Sequence, residues 1–142
     1  MSKKSQKSLN SLWRLVRVKI NELLDEYKVK LFIYPHDMWN RPGLYFPDLR
    51  TIYVSAALSK SERERVILHE LGHINHNPVN YSRCLLQYEN QADRFMVREL
   101  LKEYLSKYDP NDFNWLYFAE TNRIATSWGE RMIQEEFYKL VG

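Results

Sequence analysis

Residues 69–73 read His-Glu-Leu-Gly-His, and three of the chain's four histidines fall between positions 69 and 76. On a helix, residues four apart lie one turn apart in height and about 40° apart in azimuth. The imidazoles of His69 and His73 can therefore reach one ion, at the ~2.0–2.1 Å that suits nitrogen on zinc. Neutral imidazole is the binding form, and two of them leave the ion strongly Lewis acidic. Glu70 stands where a carboxylate can take a proton from water activated by the metal, the residue pattern of a zinc peptidase helix. The plain alternative is a helix with two surface histidines and no metal.

A hydrolytic zinc keeps three protein ligands and one open position. Leu85, Leu86, Ala92, Met96 and Leu100 recur on one face of a predicted helix, with Glu89 inside that stripe and Asp93 one turn further on. Two carboxylates on an apolar stripe are costly to bury unless their charge is compensated. A zinc ion held by two neutral histidines would compensate it, so Glu89 is the expected third ligand. Asp93 then fits behind a histidine, accepting a hydrogen bond from its far nitrogen. On a partly exposed stripe, both acids would instead pair with Arg94 or Arg98.

His76 is the rival ligand. It shares the azimuth of His69 but stands about 10 Å further along the axis, too far for one ion unless the helix breaks after His73. Its expected place is the helix end, lining the cleft. Tyr81, Tyr88 and His76 are candidate donors to a developing oxyanion, and the sequence does not separate them. Gly72 costs the helix ~1 kcal/mol against Ala, which is understandable if another segment packs closely there.

Positioning these side chains falls to the surrounding elements. Leu9, Leu12, Trp13, Val16, Ile20, Leu23, Leu24 and Tyr27 recur at three- and four-residue spacing and predict a first helix over about 8–27. VKLFIY at 29–34 reads as a strand, and GLYF and TIYVS read as two more, joined at Pro47-Asp48. The expectation is a small, about three-stranded antiparallel sheet. Ser61 with Glu64, or Ser59 with Glu62, can cap the next helix, which carries the histidines and should end near Asn77-Pro78. A long helix over about 82–108 follows. Two shorter ones, roughly 112–123 and 128–140, come next, the last capped by Ser127 with Glu130. This order is α+β, with helices packed against a small sheet and further helices toward the C-terminus. Trp115, Tyr117, Phe118 and Trp128 are expected in the core.

With 142 residues, the chain is expected to form one domain over 1–142, its core at about 20–108 and a helical extension at about 110–142. The 44% of hydrophobic and 27% of charged residues are those of an ordinary globular protein, and the 14% of aromatics argues against disorder. A single cysteine, Cys84, excludes an internal disulfide and a cysteine-based zinc ribbon, and is expected as a small core or subsurface filler. No apolar run approaches the roughly 18 residues of a membrane span. The basic start, broken by Arg14, Arg17 and Lys19, does not read as a signal peptide, which leaves the cytoplasm. Lys3, Lys4, Lys7, Arg14 and Arg17 could touch nucleic acid. The net charge is only +3, and a solvated helix face is the expected reading, without direct nucleic-acid binding.

HELGH together with the run from Glu89 to Phe95, ENQADRF, makes the chain resemble the ImmA/IrrE-type zinc metallopeptidases of phages, integrative elements and bacteria. The second run looks like that family's Glu-x-x-Ala-(Asp/Asn)-x-Phe motif. The resemblance extends to GLYFPDLRTIYVS and covers about residues 20–105. It implies His69, His73 and Glu89 as zinc ligands, Glu70 as general base, and a zincin-like fold with a small sheet over the active-site helix. Family members of this size often act as antirepressors by cleaving a phage-type repressor, so a protein substrate of that kind is expected. The substrate would lie extended along an exposed strand, 51–55 being the candidate. The competing expectation is a non-catalytic zincin-fold protein that binds a regulatory partner.

Overall fold

The computed structural model describes residues 19–35 and 37–142. Residues 19–26 are helical (α1). Then come β1 (Lys30–Tyr34), β2 (Gly43–Phe46), β3 (Thr51–Ser55), α2 (Lys60–Leu71), α3 (Leu85–Leu105), α4 (Trp115–Thr121) and α5 (Thr126–Val141). The fold is α+β. The part of the first helix predicted before residue 19 lies outside the described residues. No helix among them is long and apolar enough to cross a membrane.

α1 ends where Lys28 takes a left-handed conformation, φ 56°. The Val29 N–H then reaches the Leu24 carbonyl at 2.8 Å, and the Lys28 N–H reaches that of Asp25 at 3.2 Å. This pair of bonds closes a helix end and turns the chain sharply into β1. Arg50, at the end of the β2–β3 turn, donates to the carbonyls of Lys28 and Tyr27 and pins the hairpin to that corner.

The three strands lie where their sequences predict, but the sheet is mixed rather than antiparallel. Its order is β1-β3-β2. β2 and β3 pair antiparallel, with Tyr45 opposite Ile52, whereas β1 and β3 run parallel, with Leu31 beside Ile52. The stretch between β1 and β2 contains Pro35 and Pro42 and is too long for a tight hairpin. It lets β2 land one strand position away, and β3 then returns into the gap. β3 is suited to that place, because Thr51, Ile52, Val54 and Ser55 are all buried. One face of the sheet sends Tyr45 and Ile52 toward Ile67, Leu68 and Leu71 of α2. The other carries aromatic rings: Tyr53 meets Phe32 and Phe46, and Trp39 stacks on Phe46 at 6.2 Å between centroids.

Ser59, not Ser61, caps α2, its hydroxyl accepting from the Glu62 N–H at 3.2 Å. α2 stops at Leu71, short of the Asn77-Pro78 expected from sequence. The chain tightens there into three-residue bonds, from Gly72 N–H to His69 and from His73 N–H to Glu70. α3 packs closely at this point: a Cβ on Gly72 would stand 2.6 Å from the Ala92 Cα. α3 buries Ala92, Met96, Val97, Leu100 and Leu101, but Leu85 and Leu86 of its first turn project into solvent. α5 begins after Ala125, with no side-chain cap, so the Ser127–Glu130 box does not form. Of the tail aromatics, Phe118 is core and Trp115 packs against it, while Tyr117 and Trp128 are exposed. Cys84 is half-buried at the start of α3.

Candidate metal centre

Because Gly72 lets α3 press against the end of α2, two turns of α3 face the two histidines. Among the described residues, His69, His73 and Glu89 form a group in which one donor atom from each lies within 4.8 Å of the others. His69 Nε2 is 3.0 Å from Glu89 Oε2, His73 Nε2 is 3.2 Å from Glu89 Oε1, and the two Nε2 atoms are 3.2 Å apart. A tetrahedral ion with ligands at ~2.0–2.1 Å would space its donors about 3.3–3.4 Å apart. The residues fit such an ion.

The chemistry of the donors supports the same fit. Asp93 Oδ1 lies 3.0 Å from His69 Nδ1. An ionised carboxylate only accepts, so that nitrogen carries the ring's proton, and in the neutral ring Nε2 presents a lone pair. This lone pair faces a carboxylate oxygen. Two acceptors at that distance repel unless a proton or a cation lies between them.

Charge and burial follow this crowding. Burial disfavours charge on His69, but the Asp93 hydrogen bond and the charges of Glu70, Asp93 and Glu89 outweigh it and hold the ring above its ordinary range. His73 is buried and close to charged His69, which push it down to about 4. Burial would raise the Glu89 carboxyl, yet the Tyr81 hydroxyl bond and the two histidines leave it below the usual range. Glu70 is held up, mainly by burial.

The family model described as Peptidase_M78, IrrE N-terminal-like domain, matches residues 24–136. The chain belongs to this family. The matched span of the IrrE-like domain runs from α1 into α5 and takes in every residue of the candidate site. Membership supports a metallopeptidase-type activity on protein substrates. No curated protein matches the sequence.

Within the IrrE-like domain, a cleft of about 220 Å³ opens beside the histidines, lined by Leu44, Tyr45, Pro47, Glu70, His73 and Tyr81 among others. The five residues singled out from sequence, His69, Glu70, His73, Glu89 and Asp93, come together on α2, the turn after it, and α3. His76 lies at the cleft as expected. Tyr88 stacks flat on His76, 4.0 Å between centroids, instead of lining the cleft. The Tyr81 hydroxyl donates to Glu89 Oε1. Sequence reading missed Tyr45, whose backbone N–H donates to Glu70 Oε2 at 3.2 Å. It also missed Gln91, 2.7 Å from His76. A backbone donor leaves no trace in residue type, and Gln91 is an ordinary helix former on an exposed face.

Proposed function

We propose that this IrrE-like domain is a zinc-dependent endopeptidase that acts in the cytoplasm and hydrolyses a peptide bond in a protein substrate, a phage-type transcriptional repressor. The observation that carries the catalytic part is the meeting of two imidazole nitrogens and one carboxylate with mutual distances of 3.0–3.2 Å. The repressor rests on the family resemblance. His69, His73 and Glu89 hold the metal, and Asp93 orients His69.

When bound, zinc supplies Lewis acidity, making water ionise near neutral pH and polarising a carbonyl. Glu70 takes the proton from the attacking water and returns it to the leaving amine. Its carboxylate is oriented by the Tyr45 N–H. Tyr81 is the proposed donor for the developing oxyanion: it lines the cleft, and its hydroxyl, which donates to Glu89 Oε1, would turn from that carboxylate to the oxyanion, whereas Tyr88 is stacked on His76. Strand 51–55 is no docking edge, because β3 is paired on both sides. β2 is the edge beside the cleft, and the Tyr45 N–H points away from β3 toward Glu70. An extended substrate along β2 would add a strand there. The walls at Leu44, Pro47 and Pro78 suit an apolar side chain next to the cut bond.

The test is metal analysis and cleavage of a panel of phage-type repressors and a mixed decapeptide library by the wild type and Glu70→Gln. The variant should keep one zinc per chain and lose ~10²–10⁴-fold in rate. A variant that cuts as fast as the wild type would remove Glu70 from the chemistry. A wild type that takes up zinc but cuts nothing would favour a binding role.

A further inference from the structure

His69 has an obvious partner behind it in Asp93. What holds His73 is less expected. Its Nδ1 lies 3.0 Å from Nδ1 of His76, and Nε2 of His76 lies 2.7 Å from the side-chain oxygen of Gln91. An amide oxygen only accepts, so His76 carries its proton on Nε2. In the neutral ring, His76 Nδ1 is then an acceptor. The proton between the two Nδ1 atoms must come from His73. That leaves the lone pair of His73 on Nε2, the atom 3.2 Å from both His69 Nε2 and Glu89 Oε1.

The His76 ring is itself fixed in orientation. Tyr88 stacks on it with only 4° between the planes. Tyr88 and Gln91 stand three apart on α3 and share one side of it, so they grip the ring by its face and its edge. The early end of α2 is what brings His76 there: the chain turns after Leu71, and the His76 N–H bonds the His73 carbonyl at 3.0 Å.

Resting on the reading of His69, His73 and Glu89 as metal ligands, we infer that His76 is a positioning residue: it accepts the Nδ1 proton of His73 and so aims the Nε2 lone pair of His73 at the metal. Gln91 and Tyr88 set the tautomer and the plane of His76. Each histidine ligand is thus backed by α3, His69 directly by Asp93 and His73 through His76. The two supports differ in charge, a carboxylate behind one ring and a neutral imidazole behind the other. His73 therefore donates a softer hydrogen bond than His69 does.

The experiment compares wild type, His76→Phe, His76→Asn and Gln91→Leu. Phe keeps the stack on Tyr88 but accepts nothing, while Asn restores a carbonyl acceptor. Gln91 is exposed, so its replacement leaves the fold intact. Two readouts are taken: the protonated nitrogen of His73, from long-range ¹H–¹⁵N spectra of metal-free protein at pH 8, and zinc affinity by competition with a chromophoric chelator. His73 should be protonated on Nδ1 in the wild type and His76→Asn, and mixed in His76→Phe. Zinc affinity should fall ~10–100-fold in His76→Phe, the range for lost outer partners of metal ligands. It should fall less in Gln91→Leu and largely recover in His76→Asn. A wild-type His73 protonated on Nε2, or unchanged zinc affinity in a folded His76→Phe, overturns the assignment alone. No zinc binding by the wild type would instead sink the metal-centre reading beneath it.

Discussion

Glu89 is the residue on which the site's two sides meet. Its oxygens face His69 on one side and His73 on the other, while Tyr81 donates to one of them. Glu89→Ala should lower zinc affinity by at least ~10²-fold, as read by chelator competition, because the remaining pair cannot complete a three-ligand site. An affinity within threefold of wild type would show that another group is the third ligand. Tyr81→Phe should lower kcat by ~10²–10³-fold, the usual cost of losing one oxyanion donor, and, because the hydroxyl also donates to Glu89, weaken zinc binding by no more than the ~10–100-fold of a lost outer partner. A rise in KM alone would assign Tyr81 to ground-state binding. The grouping of His69, Glu70 and His73 was legible from spacing, and that of Glu89 and Asp93 with them from their odd presence on an apolar stripe. The roles of His76 and Gln91 were not, since they depend on where α2 stops.

That stopping point lies where two helices come closest. Gly72 admits the backbone of Ala92, and the Cβ of an alanine at 72 would stand 2.6 Å from the Ala92 Cα. Alanine at this position should therefore cost about 1–3 kcal/mol in urea unfolding, against its better helix propensity. It should also weaken zinc binding by prising α3 from α2. Equal or greater stability would mean that α3 moves aside freely. The glycine was visible in the sequence as a helix interior residue of low propensity, but its neighbour was not. Strand positions were similarly readable from β-branched and aromatic runs, because they depend on local pattern. The parallel pairing of β1 with β3 depends on how Pro35 and Pro42 route a connection, which local pattern does not encode. The exposed Leu85 and Leu86 mark the same limit. Periodicity assigns them to the stripe, yet α2 ends before it can cover them.

At the scale of the whole molecule, α5 is tied to α3 by a buried ion cluster. Glu136 is fully buried, and its carboxylate oxygens accept from Arg94 at 3.1 Å and Arg98 at 3.0 Å, both on α3. Burial alone would raise this carboxyl; the hydrogen bonds from Arg98 and Arg94 outweigh it and leave it below the usual range. Its folded pKa being depressed, its contribution to stability is present above the unfolded carboxylate range and fades as pH falls through the folded value. Glu136→Gln should lower the urea midpoint at pH 7 and flatten the acid side of the stability curve. An acid limb parallel to that of wild type would rule the cluster out as its source. Zinc should act on stability in the same global way. A free concentration of 100 times Kd adds ~2.7 kcal/mol if only the folded state binds, and a chelator should reverse the resulting rise in Tm.

Trp39, stacked on Phe46 at the end of β2, lies against the strand on which a substrate would pair. Its indole is a native optical gauge of occupancy at that edge. Emission that shifts when an uncut peptide is added to Glu70→Gln, and stays silent once Trp39→Phe is introduced as well, would time substrate arrival separately from bond cleavage, with no label attached.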